Sequence, residues 1–293
     1  MASIPSFFAD AVVAIGFEKK NGEIMWGASG FFYFHTLKGE NGRVYLVTNK
    51  HVLDGNKKIF LRINPKALGE PKGYSVDLVD KNGEKLWNGH YNKKVDVAVI
   101  PINFQIFQDD NMQVHYFRDI HHTLEAKSME EAGQTEGDSV FTLGFPVSIV
   151  GDKSNSVIVR SGTIARIRDT LKSPQVPYLI DTTVFPGNSG GPVVNKPELI
   201  GIEGTKNIEK ASLIGIVASY MPYLDVAVSQ QTGKPRVIFE ENSGLSNVFS
   251  VECIKTTINS YERRIKQKAK LVEPQKSTKA MEKPNGGIDT NFK

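Results

Sequence analysis

The stretch 185–192 reads FPGNSGGP, a serine set among three glycines. Glycine at 187, 190 and 191 releases the backbone from Cβ constraints, so the chain can turn sharply and present the Ser189 hydroxyl outward. In such a turn the amides of Gly187 and Ser189 can face one position, where a tetrahedral intermediate would carry its negative oxygen. A serine hydroxyl is a weak nucleophile until a base takes its proton. Of the six histidines, His51 stands out, because TNKHVL at 48–53 follows a strand-like run at 44–48 and precedes a turn at Asp54-Gly55. The base needs a carboxylate to fix its tautomer and stabilise the imidazolium. Asp96 interrupts the apolar run VDVAVI at 95–100; buried without a partner it would be costly, and an imidazole N–H suits it. Each residue alone has an ordinary structural explanation: a glycine turn, a loop histidine, a strand-entry aspartate. Together they describe acyl transfer to Ser189 with His51 as base and Asp96 as its orienting partner.

Other chemistries find less support. His121-His122 is an adjacent pair whose side chains diverge on regular backbone, with no Cys or His at zinc-like spacing beside it, so no metal is expected. Neither GxxxxGK[ST] nor a strand-linked GxGxxG occurs, and no cofactor is implied. Cys253 falls at a strand-to-helix junction and is expected to be inert.

The elements that must position these residues are short strands. The run 11–17 (AVVAIGF), the Asn21-Gly22 turn and the apolar material through Phe34 predict two strands, followed by strands at 44–48, 59–63, 75–79 and 95–100. Strand-like runs resume at 139–144, 157–168, 178–181, 192–194, 199–202, 213–220 and 237–239. Short strands with regular turn signals argue for an all-β fold of two barrels. The expected domain spans 1–260, with a first barrel at about 8–102, a linker at 103–137 carrying a short helix within 124–132, and a second barrel at about 138–250. From 251 onward Glu252, Ile254, Ile258, Tyr261 and Ile265 predict an amphipathic helix. Residues 272–293 are basic and too polar to repay ordering, and are expected to be disordered.

Composition narrows the classes further. The chain of 293 residues carries a formal charge of +4, but residues 261–293 hold nine Lys or Arg against four Asp or Glu. The body is therefore close to neutral, and no nucleic-acid partner is expected. One cysteine excludes an intramolecular disulfide, and the apolar stretch 11–17 is preceded by Asp10 rather than a basic residue. It is a poor signal peptide and too short to cross a membrane, which makes the cytoplasm the expected location.

The blocks 48–52, 96–99 and 187–192 resemble the three signatures of the trypsin-like, chymotrypsin-fold serine peptidases of family S1, in the order His, Asp, Ser and at separations of 45 and 93 residues. Finer likeness runs to bacterial HtrA-like protease domains lacking a PDZ module. It is carried by DTTVFPGNSGGP at 181–192, GFP at 144–146, SGTI at 161–164 and the closing strand at 244–251. The resemblance implies two packed six-stranded antiparallel β-barrels with a C-terminal helix, and endopeptidase activity on a peptide or protein substrate. It implies an oxyanion hole at Gly187 and Ser189 and a specificity pocket based on Thr183. It also implies a substrate strand running antiparallel to β structure in this chain. Two runs fit that role, LIGIVASY at 213–220 and LIGIE at 199–203; the first nominates Ile216, Val217 and Ala218 as substrate-binding residues and makes 206–211 an insertion. Thr183 bears no charge, which favours a small or medium uncharged side chain at the cleaved position. Asn188 stands where secreted relatives have Asp, so activation by a freed N-terminal amine is not expected, and control would come from loop ordering or a regulatory protein partner. Two other readings remain compatible with these residues: a catalytically silent or partner-regulated peptide-binding module of the same fold, and an esterase using the same triad.

Overall fold

Alternation of side chains along extended backbone explains the first half of the protein. In a computed structural model describing residues 4–198, 203 and 205–272, the first elements are α1 (Phe7–Asp10), β1 (Val12–Glu18), β2 (Ile24–Lys38), β3 (Asn41–Thr48), α2 (Lys50–Leu53), β4 (Lys58–Ile63), β5 (Lys72–Asp77), β6 (Asn88–Gly89) and β7 (Ala98–Pro101). Successive strand residues point to opposite faces. Thus Phe32, Leu46, Ala98 and Ile100 enter one core with Val52, Leu53 and Ile59. Phe31, Tyr33, Tyr45, Val47 and Val99 enter another, shared with the second half of the chain. Both faces of this sheet are covered, which is why its central strands are apolar throughout rather than alternating with polar residues.

The connection holds α3 (Gln105–Asp109), β8 (Phe117–Arg118) and α4 (Ala126–Glu131), the last within the helix expected at 124–132. β8 joins the first sheet parallel to β2. Then follow β9 (Ser139–Gly144), β10 (Ile158–Arg166), α5 (Arg168–Lys172), β11 (Tyr178–Asp181), β12 (Pro192–Asn195), β13 (Leu213–Val228), β14 (Pro235–Ser250) and α6 (Val251–Val272).

The two halves close differently. The second forms a closed six-stranded barrel, β10-β11-β14-β13-β12-β9, filled by Val140, Ile164, Tyr178, Ile180, Val193 and Val248 among others. The first, expected as a second six-stranded barrel, is an eight-stranded sheet ordered β5-β4-β1-β2-β3-β7-β6 with β8 off that path, and no ladder joins β5 to β6 among the described residues. β6 is only two residues long, too short to offer a continuous edge for closure.

Helix α6 follows the barrel in sequence but straps the first sheet as well. Ile254, Ile258 and Tyr261 enter the shared core; Glu262 accepts hydrogen bonds from Arg43 Nη1 at 2.7 Å and from the Tyr45 hydroxyl. Asn88 Nδ2 donates to the Thr257 carbonyl at 3.1 Å, and Arg264 Nη2 to that of Trp87 at 3.3 Å. The strand expected at 199–202 and the tail from 273 lie outside the described residues.

Candidate active site

The start of a helix leaves main-chain N–H groups without intrahelical acceptors. At the short helix α2 the chain leaves β3 through Asn49 in extended geometry (φ −85°, ψ 155°), and the amides of Lys50 and His51 reach Oδ1 of Asp96 at 2.7 and 3.2 Å. The other carboxylate oxygen, Oδ2, lies 2.5 Å from Nδ1 of His51. Asn49 Nδ2 holds the Asp96 carbonyl at 2.6 Å. Asp96 sits two residues before β7 rather than inside it, which lets its side chain turn toward α2 while Val95 and Val97 stay buried. Burial pulls the Asp96 carboxyl upward, but the hydrogen bond and charge of His51 and the two amides outweigh it, holding the group below the ordinary carboxylate range. The His51 side chain keeps 53% of its surface exposed, so the imidazole face opposite Asp96 is open to a reactant.

Ser189 comes from the second half. Gly187 lies at φ +103°, and a Cβ there would come 2.2 Å from the Phe145 carbonyl oxygen; at Gly190 (φ +86°) it would come 2.1 Å from that of Ser29. Only glycine satisfies both the backbone angle and the space at these two positions. Val147 N–H donates to the Pro186 carbonyl at 2.7 Å and Asn188 N–H to that of Phe185 at 3.0 Å, so the turn is defined on both sides. The N–H groups of Gly187 and Ser189 have no acceptor among the described residues, leaving both available to a developing oxyanion. The Ser189 hydroxyl is 3.4 Å from the Ala218 carbonyl. His51, Ser189 and Gly187 line one cleft of about 340 Å³ together with Phe17, Ala28 and Pro186. The structure thus brings His51 and Asp96 into direct contact and sets Ser189 across the same cleft, without a hydrogen bond between Ser189 and His51.

One participant escaped the sequence reading. Ser29, fully buried in β2, donates its hydroxyl to the Gly187 carbonyl at 2.6 Å and accepts from Phe145 N–H at 3.0 Å. Its own N–H donates to the Ser189 carbonyl at 2.9 Å, and its carbonyl accepts from the Thr48 hydroxyl at 2.8 Å. The first sheet therefore reaches across the shared core to hold the serine turn. The only signal for it in the sequence is a hydroxyl in the middle of an otherwise apolar strand, GASGFF at 27–32.

The residues expected to bind substrate fall into two groups. Ile216 pairs with Pro192, and the main-chain groups of Val217 are taken by Gly190 N–H and the Gly191 carbonyl at 3.0 and 2.9 Å. Both residues therefore hold the serine turn from behind. Ala218 is the residue of β13 whose carbonyl faces the Ser189 hydroxyl. Thr183 is half-buried between buried Thr182 and Val184, beside the closing strand, where Asn242 Nδ2 donates to the Val184 carbonyl at 2.6 Å. Asn188 is buried with its side-chain oxygen unpaired. Burial pushes the Cys253 thiol up to about 12, which keeps it in the unreactive thiol form. His122 Nδ1 accepts from Arg118 N–H at 3.0 Å, a structural use of that ring. Among the described residues no group of three His, Cys, Asp or Glu could hold a metal, and no helix is long and apolar enough to cross a membrane.

The family model described as a trypsin-like peptidase domain matches residues 28–202, a span that contains Ser29, His51, Asp96 and Ser189. Among solved structures, the protease Anisep from Arthrobacter nicotinovorans is similar at 15% identity and a TM-score of 0.46, covering 86% of this chain and 94% of its own. No curated protein sequence matches the chain. Matched by that model over more than half of its length, the chain belongs to the trypsin-like peptidase family.

Proposed function

We propose that the protein is a serine endopeptidase in which Ser189 attacks the scissile carbonyl, His51 takes its proton, and Asp96 fixes the His51 tautomer and stabilises the imidazolium. The observation that carries this reading is the 2.5 Å contact between His51 Nδ1 and Asp96 Oδ2 on one wall of a cleft whose other wall holds Ser189. With Nδ1 bound to a carboxylate, the Nε2 lone pair is the one free to accept the serine proton. The Gly187 and Ser189 amides stabilise the tetrahedral oxyanion; His51 then protonates the leaving amine, and water releases the acyl group from Ser189. Thr183, uncharged, favours a small or medium uncharged residue at the cleaved position. The serine turn is held by Ser29, and Asn188 gives a freed amine no charge partner, which supports activity without N-terminal clipping. The stretch 181–192 supports kinship with HtrA-like peptidases, and the single cysteine supports a reducing, cytoplasmic setting.

The test is labelling with a fluorophosphonate. Wild-type protein is expected to be labelled at Ser189 and to cleave casein or a peptide, and Ser189→Ala to lose both, with turnover falling on the order of 10⁴-fold or more. Labelling with ester but not peptide turnover would redirect the reading to an esterase. Neither activity, with the fold intact, would make the protein a peptide-binding module.

A further inference from the structure

β13 and β14 leave the barrel together. They pair from Gly215↔Ser250 out to Val228↔Pro235, yet their burial stops near Tyr220 and Leu245. Beyond that point residues 221–243 form a two-stranded ribbon. Tyr223, Leu224, Val228, Ile238 and Phe239 on it are each more than half exposed, at 59, 54, 57, 62 and 54%. Directly opposed residues share a face, and the pairs Asp225↔Phe239 and Val226↔Ile238 fall on opposite faces, so both sides of the ribbon are apolar. Two strands alone are marginal in water; a third makes a stable sheet.

The edge of β13 suggests what the third strand is. Over Leu213–Ile216 that edge is filled by β12, and at Val217 by the serine turn. From 218 onward no strand lies beside it among the described residues. The free edge therefore begins at Ala218, whose carbonyl is 3.4 Å from the Ser189 hydroxyl. It continues through Val228 for roughly 30 Å at the usual rise of a strand. Pro222 has no N–H to offer, and the ladder shifts register between Tyr220 and Pro222, so one rung is weak at the root of the ribbon, as edge strands tolerate.

We infer that the ribbon is an extended substrate edge: it takes the polypeptide segment on the amino-terminal side of the cleaved bond as an added antiparallel strand, favouring apolar, β-forming residues at alternate positions well upstream of that bond. The direction follows from occupancy, because an antiparallel strand continued past the nucleophile on its carboxyl-terminal side would run into β12. Asp225 is the one charged residue of β13, and Lys234 and Arg236 at the ribbon's end offset Glu240 and Glu241 of β14, so an acidic residue of the bound segment beside Asp225 is disfavoured. This inference rests on the peptidase reading and extends it to substrate class.

Three measurements on the full chain test it. The first compares a peptide with valine at the cleaved position behind an alternating Val-Thr segment spanning 219–228 with the same peptide cut back to the residues flanking the bond. The longer is expected to have a kcat/KM roughly tenfold higher, mainly through KM, from several added cross-strand pairs. N-methylating its upstream amides one at a time, on wild-type protein, is expected to raise KM at every second position. In Leu224→Lys combined with Val226→Lys, the long-to-short ratio is expected to fall toward one. Equal kinetics for both peptides in a protein that cleaves the short one would overturn the inference and leave the peptidase reading intact. A ratio unchanged in the double variant, with loss of a dimer by light scattering, would make the ribbon an interface between copies and overturn it too. Absence of both phosphonate labelling and any cleavage would instead remove the peptidase reading on which it stands.

Discussion

The first sheet and the barrel each contribute to the same cleft, but by different means. The sheet supplies His51 and Asp96 as side chains wired to one another, with Asp96 fixed by two amides, an imidazole and Asn49. The barrel supplies Ser189 through main-chain shape: two glycines at positive φ, turn hydrogen bonds, and a hydroxyl whose nearest partner is 3.4 Å away. In the reaction we propose, an acid–base pair needs its charge environment set in advance, whereas a nucleophile needs only to be presented at the right place and left free to move toward its target. Ser29 is the side chain that crosses from the first arrangement to the second.

The largest effect that would break this contrast is expected from Asp96→Asn. If the sheet's contribution is electrostatic, kcat falls on the order of 10⁴-fold while the fold persists; a loss below tenfold would mean that the carboxylate is not what sets the His51 tautomer. Ser29→Ala probes the crossing. It frees the Gly187 carbonyl and Phe145 N–H in a buried place, and is expected to lower kcat about 100-fold with little change in KM, because a misplaced oxyanion donor acts only in the transition state. It should also cost about 1–3 kcal/mol of stability in urea unfolding. Ser29→Thr, which keeps the hydroxyl, is expected to restore part of the kcat; no recovery would point to packing alone. The smallest effect concerns acid. The Asp96 carboxyl is held below its ordinary value in the folded protein, so its stabilisation is complete above its unfolded pKa of about 3.9 and disappears as the pH falls through the lower folded value. The difference in unfolding free energy between wild type and Asp96→Asn is therefore expected to be level near neutrality and to shrink below about pH 4; a difference independent of pH would sink this assignment.

Much of the cleft was legible because its chemistry demands particular residue types. Glycines around Ser189 announce a turn that no other residue can adopt, and an aspartate in VDVAVI announces a partner for its carboxylate. Ser29 was not legible as a participant, since a serine in a strand carries no mark of which carbonyl it will meet across the core. The strands at 139–144 and 178–181 coincide with β9 and β11 because both are short apolar runs buried in the barrel. The ribbon was missed for the opposite reason. Read from periodicity, strands end near Tyr220 and resume at 237, yet β13 and β14 run on to Val228 and back from Pro235; a segment with no core to face has no buried side to give it away. Closure of the first sheet was likewise invisible, because it depends on which edges meet rather than on which residues form strands.

Helix α6 gives the molecule an order in time. The strap that packs on Tyr45, Trp87 and Asn88 is made after every strand it braces. A nascent chain on the ribosome can pair its early strands but cannot seal that face of the sheet until the final turns of α6 emerge. His51 and Asp96, which share one pocket with Arg264 of α6, thus reach their finished surroundings only after that helix has left the ribosome.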